Sequence, residues 1–115
     1  MTPWLTCETF QVGEALVCRF TGDLSMDTEA TATEALRGAL DRRPAVLAVD
    51  LAGVDLFTST GLNLLLITRR RAQDEGIALV LVAPCAMALR VLDLTDAAPL
   101  FPVCATAEAA ALLRR

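Results

Sequence analysis

Two uninterrupted apolar runs, separated by a segment of helical periodicity, restrict the folds available to this chain more than any other feature. Residues 45–49 and 77–82 contain no polar side chain, which is typical of strands buried on both faces. Between the two runs, residues 62–71 repeat apolar side chains at helical spacing, and Gly76 follows as a helix end. A strand, a helix and a strand in this order predict a parallel crossover.

Further elements precede and follow this unit. Alternating apolar residues over 5–12 and 15–20 predict two strands joined by a tight turn at Gly13, and a helix follows with Asp27 or Thr28 as its cap. Beyond the crossover, the sequence predicts a helix over 86–94, a short strand over 100–103 and an alanine-rich helix over 107–115. These elements predict the α/β class, with a mixed central sheet opened by a β-hairpin and about four helices packed against it.

Length and apolar content bear on the compartment. The 115 residues suit a single domain over 1–115 with one buried core. The apolar content is 55%, but a membrane-spanning helix needs about 20 consecutive apolar residues. The longest apolar stretch, 77–89, is interrupted by Pro84, and residues 1–4 lack the basic start of a signal peptide. We therefore expect a cytoplasmic protein without membrane association.

The ionisable residues exclude several classes of chemistry. The chain has no histidine and no lysine, and its ten basic residues are all arginine. Without histidine, Ser-His-Asp triads, Cys-His nucleophile pairs and His-ligated metal sites are impossible. Fourteen acidic residues give a net charge of −4, which disfavours direct contact with nucleic acid. We predict that the protein is not an enzyme and that it needs no cofactor or metal.

The four cysteines are Cys7, Cys18, Cys85 and Cys104, and they are too widely spaced for a redox pair or a compact zinc site. Each lies in an apolar segment, and a cytosolic protein would not keep a disulfide oxidised. We predict reduced cysteines that serve as small apolar core residues.

Three consecutive hydroxyls, Thr58, Ser59 and Thr60, lie in the segment 50–63 between the central strand and the second helix. Ligands of open α/β sheets bind beyond the carboxyl ends of strands, and a helix start offers free N–H donors to an anion. A phosphate on Ser59 would bring about −1.5 to −2 charges to this positive helix end. Phe57 replaces the glycine of a nucleophile elbow and no histidine base exists, so Ser59 would be a substrate rather than a catalyst. A hydroxyl that only caps the helix is the simpler alternative.

Two aspartates in the same segment, Asp50 and Asp55, suggest a phosphoryl acceptor or a magnesium site. The supporting lysine of such sites is missing, and no adjacent acidic pair stands on an earlier strand. We interpret both aspartates as loop-capping carboxylates.

Short segments along the chain together match the motif order of one protein family. Residues 22–24, Gly-Asp-Leu, resemble a Gly-Glu-Leu loop after the second strand, and residues 49–54 resemble an apolar-Asp-Leu-Ser-Gly-Val segment. Residues 59–62 resemble an Asp-Ser-Ser/Thr-Gly-Leu signature, and 91–95 with 100–101 resemble a closing Val-Leu-Glu-Leu-Thr and Leu-Phe. The family that the chain resembles is that of STAS domains, specifically the bacterial anti-sigma-factor antagonists, and the resemblance spans nearly the whole chain.

This resemblance implies a STAS fold and a partner-switching cycle. The unphosphorylated protein would bind an anti-sigma factor with serine-kinase activity and free the sigma factor, and phosphorylation would reverse this. By position in the family's motif, Ser59 is the phosphoacceptor, and a separate serine phosphatase would remove the phosphate. The resemblance also implies a partner-binding surface of Asp23, Ser25, Met26, Thr58, Thr60, Gly61 and Asn63. We expect a monomer or a weak homodimer.

The chain departs from the family's pattern at two positions. Thr58 replaces the aspartate that usually precedes the acceptor, and Ser25 replaces an aspartate after the Gly-Glu-Leu loop. These departures leave open a constitutive antagonist and leave Thr58 and Thr60 as alternative acceptors. A different function also stays open, namely a small-ligand or lipid sensor with Leu56 and Phe57 lining a pocket, or a scaffold subunit of a signalling assembly.

Overall fold

The predicted hairpin, the crossover and a short last strand form one five-stranded sheet, with the strands side by side in chain order, in a computed structural model that describes residues 4–112. Strand β1 is antiparallel to β2, and every other neighbouring pair is parallel. The strands are β1 Leu5–Val12, β2 Ala15–Leu24, β3 Val46–Phe57, β4 Ala78–Val82 and β5 Val103–Cys104. The helices are α1 Glu29–Asp41, α2 Ser59–Asp74, α3 Ala86–Leu94 and α4 Ala107–Ala111, with short 3₁₀ turns at Met26–Thr28 and Ala98–Leu100. The prediction of a mixed α/β sheet opened by a hairpin is confirmed.

Side chains of the central strand β3 alternate between two apolar layers. Leu47 and Val49 pack in the layer covered by α1, α2 and α3, whereas Val46 and Ala48 pack in the layer covered by α4. All four are fully buried, and burying a Val or Leu side chain contributes about 1.5–3 kcal/mol. Of the helices within residues 4–112, none is long and apolar enough to cross a bilayer.

Strand β3 is longer than predicted and extends to Phe57. It contains two extra residues relative to β2. Arg19 pairs with Asp50 but Thr21 pairs with Gly53, and a second shift in register follows before Leu56. Such bulges break the two-residue alternation by which a strand is recognised in a sequence. The prediction that Asp50 and Asp55 lie in a loop is therefore wrong.

Asp50 still caps local backbone, although it does so inside the strand. Its Oδ1 accepts a hydrogen bond from the N–H of Ala52 at 3.0 Å, within the first bulge. Its Oδ2 accepts one from Nε of Arg19 at 3.0 Å, so the buried carboxylate is paired with a cation. This arrangement satisfies a charge that would otherwise be costly to bury.

The last predicted strand is displaced. Leu100 ends a 3₁₀ turn instead of starting a strand, and β5 contains only Val103–Cys104. Pro102 has no N–H to donate to a sheet, although its carbonyl accepts from the N–H of Leu81 at 2.9 Å. The closing helix ends at Ala111, and residues 113–115 of the predicted helix lie outside the described residues, as do residues 1–3.

The cysteines are free, as predicted, but they are not equally buried. Cys18 is fully buried in the core, whereas Cys7, Cys85 and Cys104 are half-buried. Cys7 and Cys85 pack against the same apolar layer as Cys18, and Cys104 packs against the other layer. In the β1–β2 pair, Cys7 lies opposite Phe20 and Cys18 lies opposite Thr9, which makes the two cysteines diagonal neighbours. Hydrogen bonding from Cys18 lowers the pKa of Cys7 to about 7, while the same bond and burial raise the pKa of Cys18.

This difference predicts the pH dependence of Cys7 alkylation. Because the thiolate is the nucleophile, the rate with iodoacetamide should reach half its maximum near a pH of about 7. In Cys18→Ala the main stabilising donor is lost, and the midpoint should rise toward the ordinary value of 9.0. Peptide mass spectrometry after timed labelling measures both midpoints, with the urea-unfolded chain as the control. Equal midpoints in the two folded proteins would contradict the role of Cys18 in lowering the pKa of Cys7.

Candidate functional site

The three consecutive hydroxyls lie where the carboxyl ends of β2 and β3 meet the start of α2. Thr58 is the N-cap of α2, and its Oγ1 accepts from the N–H of Thr60 at 3.3 Å. The same hydroxyl donates to the carbonyl of Leu24 at 3.2 Å, and the Thr58 N–H donates to that carbonyl at 3.1 Å. Thr58 therefore joins the end of β2 to the start of α2.

Ser59 is the first residue of α2, so the helix begins three residues before its predicted start. Ser59 is exposed, whereas Thr58 and Thr60 on either side are half-buried. Its position in the first turn sets it beside N–H groups that no helical carbonyl can reach. Of the three hydroxyls, the one at Ser59 is the most open to another protein.

A tight turn after β2 supplies the other side of the site. The hydroxyl of Thr28 donates to the carbonyl of Asp23 at 2.7 Å and accepts from the N–H of Ser25 at 3.1 Å. These bonds close the 3₁₀ turn and fix the positions of Asp23, Ser25 and Met26. The segment predicted as a loop, Gly22 to Leu24, belongs to β2 and precedes this turn.

An open groove of about 340 Å³ separates the turn from the start of α2. It is lined by Trp4, Asp23, Ser25, Met26, Asp27, Thr28, Leu56, Thr58, Ser59 and Thr60. The groove thus brings together six of the eight residues that the family's motifs implied. Sequence reasoning missed Trp4. It named Asp27 and Thr28 only as possible helix caps and Leu56 only as the lining of an alternative ligand pocket.

The two remaining predicted residues lie outside the groove. Asn63 is exposed and stands four residues after Ser59, so the two share one face of α2. Gly61 is buried, and a Cβ at this position would lie 2.9 Å from Cε2 of Phe57. Gly61 therefore allows α2 to approach the Phe57 ring closely.

In the alternative of a ligand sensor, Leu56 and Phe57 would both line a pocket, but only Leu56 lines the groove. Phe57 is only 2% exposed, and its N–H donates to Sδ of Met87 at 3.3 Å. Leu56, at 38% exposed, does line the groove. Within the described chain, no group of three or more Cys, Asp or Glu side chains is arranged to hold a metal ion.

Thr58 and Ser59 should differ in their effect on stability. We expect Thr58→Ala to lower the free energy of unfolding by about 1 kcal/mol, since it removes the N-cap of α2. Ser59→Ala should stay within about 0.5 kcal/mol of wild type, because its side chain is exposed. Urea unfolding followed by circular dichroism measures both. A larger loss in Ser59→Ala than in Thr58→Ala would contradict these roles.

The fold agrees with comparisons to known proteins. A model of the STAS domain family matches residues 7–110. An anti-sigma factor antagonist from Mycobacterium paratuberculosis has a TM-score of 0.83 at 24% identity, over 92% of this chain and 90% of that chain. The Bacillus cell fate determinant SpoIIAA in its phosphorylated form has a TM-score of 0.69 at 16% identity, over 90% and 96%.

A STAS domain protein from Planctomyces limnophilus has a TM-score of 0.74 at 21% identity, over 92% of this chain and 95% of that chain. No curated protein sequence matches the chain. At these identities the solved structures establish a shared fold. The family model covers most of the sequence, and the chain therefore belongs to the STAS domain family.

Proposed function

We propose that this chain is an anti-sigma-factor antagonist that binds an anti-sigma factor with serine-kinase activity and is switched off by phosphorylation of Ser59. The observation that carries the proposal is the exposure of Ser59 at the first turn of α2, beside the groove. Thr58 is a poorer candidate acceptor, because its hydroxyl is half-buried and bonded to the end of β2. The structural neighbours described as anti-sigma factor antagonists support the same role.

The departure at Thr58 is compatible with this function. Threonine and aspartate are both preferred N-caps, and Thr58 caps α2 through its hydroxyl. Ser25 likewise lies at the start of the 3₁₀ turn that leads into α1, where serine is also a preferred residue. Both replacements keep the backbone arrangement and remove a negative charge from the surface.

A phosphate at Ser59 should act on the interface more than on the fold. The dipole of α2 favours an anion at its start by only about 0.3–1 kcal/mol. At the centre of an interface, the same doubly charged group would meet a partner surface that is complementary to a neutral hydroxyl. Like charge or desolvation there costs several kcal/mol, on the order of a thousandfold in affinity.

The groove is suited to binding rather than to catalysis. Its lining offers hydroxyls, apolar side chains and the carboxylates of Asp23 and Asp27, without a histidine base. The kinase would be the anti-sigma factor itself, and a separate serine phosphatase would restore the active form. The protein would act in the cytoplasm as a monomer or weak homodimer, without direct contact to nucleic acid.

Phosphate transfer tests the proposal. The purified chain is incubated with a kinase-type anti-sigma factor from its own cell, with and without ATP, and both complex formation and the intact mass of the chain are measured. We expect a gain of one phosphate in wild type and in Thr60→Ala, and none in Ser59→Ala. A phosphate on Ser59→Ala would contradict Ser59 as the acceptor, and failure of wild type to form a complex would contradict the antagonist role.

A further inference from the structure

Large apolar side chains converge on the groove beside Ser59. Trp4 is 72% exposed, Met26 is 78% exposed and Leu56 is 38% exposed, and all three line the same groove. Single exposed apolar residues are ordinary on protein surfaces, but several large ones that line one groove favour a binding surface. The family's motifs implied only Met26, and the sequence indicated Leu56 only for an alternative ligand pocket, so Trp4 is a part of the surface that the sequence did not indicate.

The backbone of Trp4 is fixed although its indole is exposed. The Trp4 carbonyl accepts a hydrogen bond from the N–H of Asp23 at 2.9 Å. The next residue, Leu5, is buried in the core. Gly22 lies so close that a Cβ at its position would be 2.2 Å from the Trp4 oxygen. A large aromatic side chain on a fixed backbone loses little entropy on binding, which is a property of interface anchors.

The charged residues that line the groove indicate which class of partner it can bind. Asp23 and Asp27 line the groove beside these apolar side chains, and no arginine does. An anionic membrane or a nucleic acid would be repelled by these carboxylates, and a second copy of the chain would present the same acidic groove to itself. A protein surface with an apolar cleft edged by arginine or lysine complements the site.

We propose that Trp4 and Met26 are the apolar anchor of the complex with the anti-sigma factor, inserting into a cleft of that protein whose edge is basic. This inference rests on the proposed function, because it assigns the partner of the same site. The anchor lies directly beside Ser59. Its burial would remove water from the acceptor hydroxyl, so that a phosphate there would have to be desolvated or expel the anchor.

Affinity measurements with matched variants test the anchor. Unphosphorylated wild type, Trp4→Ala, Met26→Ala and Ile67→Ala are titrated with the anti-sigma factor by calorimetry. Ile67 is the control, since it is 67% exposed on α2 but does not line the groove. We expect losses of about tenfold or more for Trp4→Ala and Met26→Ala and less than about twofold for Ile67→Ala.

The chain contains one tryptophan, which provides an independent readout. With 5-fluorotryptophan in this chain and an unlabelled partner, a single ¹⁹F resonance reports on Trp4 alone. We expect this resonance to shift and broaden when the partner binds. Circular dichroism melts of the free variants, expected to match wild type, exclude a folding defect as the cause of weaker binding.

The outcomes separate the anchor from the proposed function. If wild type binds but Trp4→Ala binds equally well and the ¹⁹F resonance does not move, the anchor is overturned and the antagonist role stands. If wild type does not bind, both are overturned. The basic edge is tested by Asp27→Asn, which should slow association and reduce its dependence on salt. An unchanged salt dependence would overturn the basic edge of the partner's cleft.

Discussion

Replacing Gly22 with alanine is expected to lower the free energy of unfolding by about 3 kcal/mol or more. Gly22 has a φ of +116°, which side-chain-bearing residues rarely adopt. A Cβ there would lie 2.2 Å from the carbonyl oxygen of Trp4, well inside van der Waals contact. The clash is with backbone, and β1 and β2 would have to separate to relieve it. The same movement would displace Trp4 and Asp23 from the groove.

A second glycine provides the matched control. Gly38 lies in α1 with no atom within 4 Å of the position that a Cβ would take. Gly38→Ala should therefore raise the free energy of unfolding by about 0.5–1 kcal/mol, because alanine is the better helix former. Urea unfolding of the two variants measures both changes in the free energy of unfolding. A Gly22→Ala chain as stable as wild type would contradict the close approach of β1 to Gly22.

Replacing Arg19 with methionine is expected to lower the free energy of unfolding by about 3 kcal/mol. The change leaves the Asp50 carboxylate, whose side chain is 7% exposed, without its cation. Methionine preserves much of the apolar stem, which isolates the charge from the packing. The effect lies at the lower end of the range for buried pairs, because the Arg19 side chain is itself 45% exposed.

Two further variants test whether the unpaired Asp50 carboxylate causes the loss of stability. In the double variant Arg19→Met with Asp50→Asn, most of the loss should be recovered, because no unpaired charge remains and the amide oxygen still accepts from Ala52. Glu8 contacts the same arginine at 3.8 Å but is 69% exposed, so Glu8→Gln should change stability by less than about 0.5 kcal/mol. Thermal unfolding across this set tests the assignment. It would be wrong if the double variant were no more stable than Arg19→Met.

The hairpin could be predicted because its apolar residues alternate, and the crossover because two uninterrupted apolar runs flank a helical period. Strand β3 could be predicted only up to Val49, since its uninterrupted apolar run ends at Asp50 and two bulges between Asp50 and Leu56 prevent a regular alternation beyond it. The displaced β5 has a similar origin, because only two of its residues pair with β4 and so short a strand has no period to detect.

The candidate site was predicted only in part, for a physical reason. Ser59 and the residues near it lie within short contiguous motifs. Trp4 reaches the groove through the β1–β2 register, in which Leu5 lies opposite Gly22. That register depends on the tertiary pairing of distant residues and leaves no local signal. The exposure of Ser59 relative to Thr58 likewise depends on which hydroxyl caps α2, and serine and threonine are both good caps.

We propose that a phosphate on Ser59 controls binding to the anti-sigma factor. The most direct measurement compares the affinity of the fully Ser59-phosphorylated chain with that of the unphosphorylated chain for the same anti-sigma factor, by calorimetry without ATP. We predict at least about hundredfold weaker binding after phosphorylation, with the thermal unfolding midpoint of the free protein nearly unchanged. Equal affinity of the two forms would contradict it.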